Sequence, residues 1–247
     1  MTTRVYEKSL RAETVENLIA ERAGEYNIES LIVLPIPSTR DGKTVNGLDL
    51  SLHDSISGAG MNTLVLGYEI PDYIKERLDR VGAICVDSAT DEEFLLENAE
   101  LTAVATLGII LNTEVRAPRD MSIGVVGYGR IGKCLVRELL FHGARVTVYT
   151  SRPLVRESLS EYGVATLMSD KDASLGSLDL LINTAPAKIF DTGGGMPTSL
   201  RVIDLASGVN FPGLASVERY PSLPARMFPR SAGGAWFRSV MRTLGRE

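Results

Sequence analysis

The sequence predicts an α/β protein built from two Rossmann-like domains, each with a parallel sheet, joined by long crossover helices. Two observations lead to this fold class. Short apolar segments alternate with amphipathic helical segments along the 247 residues, which is typical of parallel strands connected by helices. A GxGxxG turn, Gly127 to Gly132, also lies between an apolar strand and a helix. We expect one domain at 1–115 together with a C-terminal helix at 232–247, and a dinucleotide-binding domain at 116–231.

In the first predicted domain, apolar segments bounded by turn residues indicate strands at 30–35, 62–67 and 82–87. Any strand before the first helix would be short. Helices are expected around 12–23, at 71–81 and at 91–112. Pro71 suits a first helical turn, and the acids that open segment 91–112 favour a helix N-terminus. This last helix contains several small residues that let another backbone approach, so we expect it to pack between the two domains.

The second predicted domain shows the same alternation. Five apolar segments indicate strands, at 122–127, 145–150, 163–167, 178–184 and 201–207. After Gly132, the residues Leu135, Val136 and Leu139 fall on one face of an amphipathic helix, which Gly143 ends. The segment 232–245 predicts a final helix that returns to the first domain.

Composition and charge argue against several classes of function. Hydrophobic residues make up 44% of the chain and charged residues 23%, which is ordinary for a globular protein. A formal charge of −5 gives no electrostatic reason to bind nucleic acid or an anionic membrane. The N-terminal segment lacks an apolar signal core, no uninterrupted apolar run is long enough to span a bilayer, and Cys85 and Cys134 lack metal-ligand spacing. We expect a cytoplasmic protein with free thiols and without metal, nucleic-acid or membrane partners.

The glycine-rich turn predicts a dinucleotide site. Gly127 would make the tight turn, Gly129 would let the backbone approach a pyrophosphate, and Gly132 would permit close helix–strand packing. The pyrophosphate would lie at the helix N-terminus, where unpaired N–H groups attract anions. The residues expected to contact it are Gly127, Tyr128, Gly129, Arg130, Ile131 and Gly132. The alternative is a Rossmann-like domain that binds no dinucleotide.

The strand after this helix indicates which dinucleotide binds. An NAD site usually has Asp or Glu there, to hydrogen-bond the ribose 2′-hydroxyl. This chain has Thr150, Ser151 and Arg152 instead, which offer two hydroxyls and a guanidinium to a phosphate. We therefore expect NADP as the cofactor rather than NAD. The alternative is that Arg152 is a solvated surface charge and the site does not discriminate.

Two further strand ends are expected at the same ligand-binding edge. The first ends in Asn183, Thr184, Ala185 and Pro186, and Thr184 could contact the nicotinamide or its ribose. The second brings Asp204, Ala206 and Ser207 to this edge. Each could instead be structural, Thr184 as part of a turn and Asp204 as a capping or ion-paired acid.

Two arginines are candidates for binding substrate carboxylates. Arg40 lies on a loop after an apolar strand, and Arg230 lies just before the final helix, whose N-terminus would add to the attraction. Either could instead belong to a solvated loop. The candidates for a catalytic role are thus Thr184, Ser207, Arg230 and Arg40. Only two histidines are present, which limits any mechanism that needs an imidazole. His142 is expected to be structural, whereas His53 could reach the cleft.

Four motifs together resemble the A subunit of dipicolinate synthase, an enzyme of bacterial spore formation. They are LPIPSTRDG, the turn GYGRIG followed by a Ser–Arg strand end, INTAP followed by VIDLASG, and LPARMFPRSAG. They span residues 30–240 or so. The resemblance implies oxidation of a dihydrodipicolinate-type ring to dipicolinate with NADP, alongside a separate flavoprotein-like second subunit. The chain departs from the family at 101–105, where Val104 replaces a glutamate, and Arg230 replaces a lysine.

Two other functions remain open. D-2-hydroxyacid dehydrogenases share the two-domain layout and the GxGRIG turn, but they use a late histidine, and this chain has none after His142. Pro186 and Lys188 also replace the Arg-Gly expected in that class. The other alternative is a regulatory or scaffold protein that binds NADP(H) without turnover, which the missing glutamate favours. In each case we expect a small carboxylate ligand and a homo-oligomer.

Overall fold

A computed structural model describes residues 1–161, 164–167, 175–186, 197, 200–206 and 217–245. The chain forms two compact units, Met1–Asn98 with Pro224–Glu247, and Ala99–Leu223. The expected boundaries at 115 and 231 differ from this division. The first observed boundary, between Asn98 and Ala99, lies inside the helix Glu92–Thr113 rather than after it, because the two ends of that helix belong to different units. The second observed boundary lies between Leu223 and Pro224, at the start of the short helix that leads into the C-terminal helix.

The first unit contains a parallel sheet of four strands in the order β1-β2-β3-β4. Its strands are β1 (Thr2–Val5), β2 (Ser30–Val33), β3 (Thr63–Gly67) and β4 (Ile84–Asp87). Its helices are α1 (Leu10–Arg22), α2 (Leu52–Ser55), α3 (Asp72–Arg80), the first part of α4 (Glu92–Thr113), α7 (Leu223–Met227) and α8 (Pro229–Thr243). The short strand that could precede the first helix is therefore present. The helix α8 begins before the expected residue 232, which places Arg230 in its first turn.

Both faces of this sheet are covered. Leu31 and Val33 pack with α1 and α8, whereas Ile32 between them packs with α2 and α3. A strand buried on both faces is expected to be continuously apolar, and this is why the apolar segments identified these strands so clearly.

The helices α1 and α8 pack closely because α8 has a glycine at their contact. A Cβ added at Gly233 would lie 2.6 Å from Thr14 Cβ and 2.7 Å from the Arg11 carbonyl oxygen. One turn away, the ring of Trp236 is fully buried, and the guanidinium carbon of Arg11 lies 5.3 Å from its centroid. Arg11 also donates hydrogen bonds to the Glu7 carboxylate. The core on this face of the sheet thus depends on contacts from both α1 and α8.

The second unit contains the remaining part of α4 and a parallel sheet of six strands. These are β5 (Ser122–Val126), β6 (Arg145–Tyr149), β7 (Ala165–Leu167), β8 (Leu180–Asn183), β9 (Arg201–Asp204) and β10 (Val217–Arg219). Its other helices are α5 (Arg130–Phe141) and α6 (Pro153–Glu161). The sequence did not predict α6 or β10, because both are short and contain many polar residues.

The strand order of this sheet is β10-β9-β8-β5-β6-β7, with every pair parallel. Numbered from β5, this is the 3-2-1-4-5-6 order of dinucleotide-binding Rossmann domains. The order reverses between β5 and β8, so the crevice for a ligand lies at the carboxyl ends of these two strands. The predicted fold class, with two parallel-sheet Rossmann-like domains, is confirmed.

The helix α4 is long and apolar enough to cross a membrane by length and composition alone. Its sequence contains no uninterrupted apolar run of that length, because Glu97 and Glu100 interrupt it. Half of its most apolar window (50%) is buried inside the protein. Core helices of globular proteins pass the same test, so the length and composition of α4 are weak evidence for a membrane span.

An ion network joins the end of α4 to the strands β9 and β10 within the second unit. Arg201 donates from Nη1 to Glu114 Oε1 at 2.6 Å and to Thr113 Oγ1 at 2.7 Å. Its Nε and Nη2 donate to the two carboxylate oxygens of Glu218, at 2.6 and 2.9 Å. These hydrogen bonds hold the pKa of Glu218 below its usual value. Glu218 also accepts a hydrogen bond from the Tyr220 hydroxyl.

Gly233→Ala should destabilise the first unit by about 1–3 kcal/mol, because the new methyl group would overlap α1. Gly234→Ala is a matched control in the same helix, since its Cβ would meet only the end of Arg238 at 3.5 Å. The control should be neutral or gain up to about 1 kcal/mol from helix propensity. Urea denaturation followed by the fluorescence of Trp236, the single tryptophan, measures both. Equal effects of the two substitutions would contradict the packing described for α1 and α8.

Stability should also fall at acid pH through Glu218. Because its folded pKa lies below the ordinary value of 4.5, the carboxylate stabilises the fold above that pH. This contribution is lost as the pH falls through the folded pKa, so the slope of unfolding free energy between about pH 5 and pH 3 should be smaller in Glu218→Gln. Glu157→Gln, at an exposed position of the same unit, should keep the wild-type slope. Identical slopes in all three proteins would refute the assignment.

Candidate dinucleotide-binding site

The glycine-rich turn connects β5 to α5 at the point where the strand order reverses. Gly127 has a φ of +88°, a conformation that side chains with a Cβ rarely adopt. Its N–H donates to the Tyr149 carbonyl at 2.9 Å, which extends the pairing of β5 and β6 by one residue. Gly129 is the residue before the first turn of α5, and no acid occurs in that turn. The first N–H groups of an α-helix have no partner inside the helix, and the positive end of the helix dipole also lies here, so this position favours an anion.

Two glycines of the turn are required for different reasons. A Cβ at Gly132 would lie 2.4 Å from the Gly127 carbonyl oxygen, so only glycine lets α5 approach the turn this closely. A Cβ at Gly129 would have no protein atom within 4 Å. Packing therefore does not require glycine at 129. The open space there is where a bound pyrophosphate would lie, and a side chain would occupy it. The residues present thus fit a dinucleotide.

Thr184 at the end of β8 contacts this turn. Its hydroxyl donates to the Val126 carbonyl at 2.9 Å, and its Oγ1 would lie 3.0 Å from a Cβ at Gly127. The Thr184 N–H donates to the same Val126 carbonyl. The hydroxyl proton is therefore committed to the backbone, while an oxygen lone pair remains to accept from a ligand. This arrangement suits an orienting group better than a proton donor.

Asn183 and Asp204 are joined side by side at the ends of β8 and β9. Asn183 Nδ2 donates to Asp204 Oδ1 at 2.8 Å and to the Ala185 carbonyl at 3.0 Å, and Asn183 Oδ1 accepts from the Ala185 N–H. Asp204 Oδ1 also accepts from the Ala206 N–H at 3.2 Å. Both side chains are almost fully buried. They hold the two loops in place, so Ala185, Pro186 and Ala206 are better placed than the pair itself to face a ligand.

The end of β6 leads directly into α6. Thr150 is 4% exposed, and its Oγ1 accepts from the Arg152 N–H at 3.3 Å. Ser151 and Arg152 are exposed, and the Arg152 guanidinium has no hydrogen-bond or ion-pair partner among the described residues. Residues 150–152 thus form a corner between β6 and α6. Thr150 supports this corner from inside the protein, while Ser151 and Arg152 present polar groups to solvent.

The remaining candidates divide between the two units and the part of the chain that the structure does not describe. Arg40 and Arg230 belong to the first unit, whereas the dinucleotide turn belongs to the second. Ser207 lies outside the described residues. Tyr128, Arg130 and Ile131 lie at the start of α5, where Arg130 is exposed and the other two are half-buried. The role of each as a cofactor or substrate contact stays a prediction.

The loop that carries Arg40 is organised by a neighbouring acid that the sequence pattern did not reveal. Asp41 accepts hydrogen bonds from the N–H groups of Thr44 and Lys43 and from the hydroxyls of Thr44 and Thr39. These bonds, led by the Thr44 N–H, hold the pKa of Asp41 well below its usual range. Arg40 is exposed, and its Nε donates to Asn46 Oδ1 at 3.2 Å. The loop is thus preorganised around Asp41.

The two histidines have local roles. His142 follows α5, and its Nδ1 lies 2.8 Å from the Glu138 carbonyl oxygen, as suits a helix C-terminus. His53 is largely exposed beside Asp54 in the short helix α2 of the first unit. Among the described residues, no group of three or more His, Cys, Asp or Glu side chains is arranged to hold a metal ion.

No protein-family model matches this chain. Its second unit has the architecture of a Rossmann dinucleotide-binding domain, and several solved structures share the fold of the whole chain. The A chain of dipicolinate synthase from Bacillus subtilis aligns with a TM-score of 0.74 over 99% of this chain and 96% of its own, at 16% identity. The corresponding dipicolinate synthase chain from Bacillus halodurans aligns with a TM-score of 0.71 over 88% of this chain and 80% of its own, at 22% identity.

More distant similarities point to the same fold. D-lactate dehydrogenase from Salmonella aligns with a TM-score of 0.62 over 100% of this chain and 98% of its own, at 12% identity. A curated relative, 18-hydroxynorfluorocurarine reductase from Strychnos sp, is 39% identical over 113 residues, which is 39% of this chain. That match spans only 30% of the relative's length. At these identities and coverages, the similarities establish the fold and leave the activity to be argued from the site.

Gly129→Ala and Gly132→Ala should separate ligand binding from packing. Gly129→Ala should leave the melting temperature unchanged and weaken NADPH binding, because its methyl group would occupy the ligand space. Gly132→Ala should lower the melting temperature by several degrees, since the methyl group would overlap the Gly127 carbonyl. Thermal denaturation and titration of NADPH fluorescence measure the two effects. If Gly129→Ala bound NADPH as well as the wild type, the site would not lie at this turn.

Proposed function

We propose that this chain is an NADP-dependent oxidoreductase whose cofactor lies along the carboxyl edge of the six-stranded sheet. The observation that carries the proposal is the glycine-rich turn at the reversal of strand order, with open space at Gly129 and backbone contact at Gly132. Packing explains the glycine at 132 but not the one at 129. A bound pyrophosphate accounts for both the open space and the acid-free helix N-terminus.

The described residues supply three regions for the dinucleotide. The turn from Gly127 to Gly132 would hold the pyrophosphate, and Thr150, Ser151 and Arg152 would surround the 2′-position of the adenosine ribose. Thr184, Ala185 and Pro186 would border the nicotinamide half. Asn183 and Asp204 would act one step further away, by fixing the loops on which these residues stand. When bound, the nicotinamide supplies a hydride acceptor or donor, while the protein supplies position and electrostatics.

The substrate that we propose is a small cyclic dicarboxylate, with dihydrodipicolinate as the compound to test. Support comes from the four sequence motifs and from the similarity in fold to the dipicolinate synthase chains. Oxidation of this ring to dipicolinate transfers one hydride to NADP⁺ and releases one proton. Arg40 and Arg230 are the proposed carboxylate ligands, since both are exposed, Arg40 on the loop after β2 and Arg230 in the first turn of α8. Ser207 remains a candidate for orienting the substrate.

A second candidate is a protein that binds NADP(H) without turnover. One position favours it. The dipicolinate synthase family is expected to carry a glutamate where this chain has Val104. Val104 is 44% exposed on α4, so packing does not exclude an acid there, and its absence favours a protein that does not turn over substrate. A D-2-hydroxyacid dehydrogenase activity is less well supported, because no histidine follows His142 in the sequence. A turnover assay with dihydrodipicolinate and NADP⁺ separates these candidates, since a protein that only binds the cofactor consumes neither.

Partners and location belong to the same proposal. The resemblance implies a flavoprotein-like second subunit, which adding such a subunit to the turnover assay tests. Self-association is a separate expectation, which light scattering tests. A reducing cytoplasm is consistent with the two free thiols, Cys85 and Cys134. Burial raises the pKa of Cys85 to about 11, so this thiol is poorly reactive at neutral pH.

Arg152→Asp should change the cofactor preference. Loss of the guanidinium and gain of an acid near the 2′-position should weaken NADPH binding by about 10- to 100-fold and leave NADH binding equal or stronger. Fluorescence titration with both cofactors measures this. Arg145→Gln, at the amino end of the same strand β6, is the control and should bind both cofactors as the wild type does. Unaltered NADPH binding by Arg152→Asp would remove Arg152 from the site.

A further inference from the structure

A second arginine stands beside the corner that Arg152 occupies. The helix α6 starts at Pro153, immediately after this corner, and its first helical hydrogen bond runs from the Arg156 N–H to the Arg152 carbonyl. Arg156 is therefore one turn further along, on the side of the helix that Arg152 shares. Arg156 was not among the candidates from sequence, because the helix that aligns it with Arg152 was not predicted.

The Arg156 side chain lacks the partners that a covered guanidinium normally has. Arg156 is half-buried, and its Nε is shielded from solvent without any hydrogen-bond partner. No ion pair is formed by Arg156 or by Arg152 with the described residues. Covered donors are nearly always hydrogen-bonded in folded proteins, so the Nε of Arg156 is an exception that the described protein groups do not account for.

The electrostatics of this corner are unfavourable without an anion. Like charges one helical turn apart repel each other, and cations near a helix N-terminus also oppose the helix dipole. Two unpaired arginines at the start of α6 combine both effects with the unsatisfied Nε. A doubly charged phosphate between them would reverse every one of these terms, since it offers three acceptor oxygens and two negative charges.

We propose that Arg156 is a second guanidinium for the ribose 2′-phosphate of NADP, acting with Arg152 and the Ser151 hydroxyl. This inference rests on the proposed function, because it assumes that the adenosine half lies at the end of β6. It adds a specificity-determining residue that recognises a phosphate monoester. Arg156 should therefore discriminate between NADPH and NADH without affecting the affinity for the parts that the two cofactors share.

The test uses the full chain and a pair of nucleotides that differ only in the 2′-phosphate. Adenosine 2′,5′-bisphosphate and adenosine 5′-monophosphate are titrated by calorimetry, and NADPH and NADH by fluorescence. Arg156→Gln should weaken the bisphosphate and NADPH by about tenfold or more and leave the other two within about twofold. Arg156→Lys keeps the charge but loses the paired N–H donors of the guanidinium, so its affinities should lie between those of the wild type and Arg156→Gln. Circular dichroism confirms that both variants are folded, and Arg145→Gln is the charge-matched control.

Each other outcome has a distinct meaning. Wild-type affinities for the bisphosphate and NADPH in Arg156→Gln, with the wild-type preference for the 2′-phosphate retained, would overturn the role of Arg156 and leave the NADP proposal intact. Equal wild-type affinity for NADPH and NADH would overturn both the inference and the cofactor preference. Failure to bind either cofactor would overturn the proposed function itself. Inorganic phosphate that competes as well as the bisphosphate would show a free-anion site and overturn the assignment to the ribose phosphate.

Discussion

The close approach of α5 to the turn after β5 is the contact on which the second unit depends. Gly132 brings the helix so near that a Cβ would lie 2.4 Å from the Gly127 carbonyl oxygen, and the Thr184 hydroxyl secures the same turn from β8. These contacts join β5, α5 and β8 at the reversal of strand order. The helix N-terminus is aimed across the strand ends as a consequence. An anion site here would result from how the elements pack, and it would need no charged side chain to define it.

The strand ends beside this contact are held by hydrogen bonds between buried groups. The Asn183 side chain donates to Asp204 and to the Ala185 carbonyl, and it accepts from the Ala185 N–H. Asp204 in turn accepts from the Ala206 N–H. A buried carboxylate is costly unless it is satisfied, and an amide beside it supplies the donor it needs. The pair therefore fixes two loops without presenting its own charge to a ligand. Such preorganisation is what a cofactor site requires, because the bound geometry then costs little further ordering.

The sequence predicted the elements whose signal is local and missed those whose role depends on neighbours. Segments such as residues 31–34 are apolar throughout because both faces of the strand are buried, and the glycine spacing reports a turn directly. The helix Pro153–Glu161 was missed, since a short polar helix carries little periodicity, and α8 begins at Pro229 rather than at the predicted residue 232. Asn183 and Asp204 were expected to contact the cofactor. Only the structure shows that they bind each other, because that pairing joins residues from two strands.

The same reasoning explains why the corner after β6 is more informative than the turn itself. The turn would suit any dinucleotide, since pyrophosphate is common to NAD and NADP. At the corner, a buried Thr150 shapes the backbone, Arg152 is exposed without a partner among the described residues, and the covered Nε of Arg156 is unsatisfied. An NAD site would gain nothing from two guanidinium groups at a helix N-terminus and would bear their repulsion. Under the proposed function, a 2′-phosphate would give both arginines a partner, and this is an electrostatic argument for NADP that does not depend on any resemblance to known enzymes.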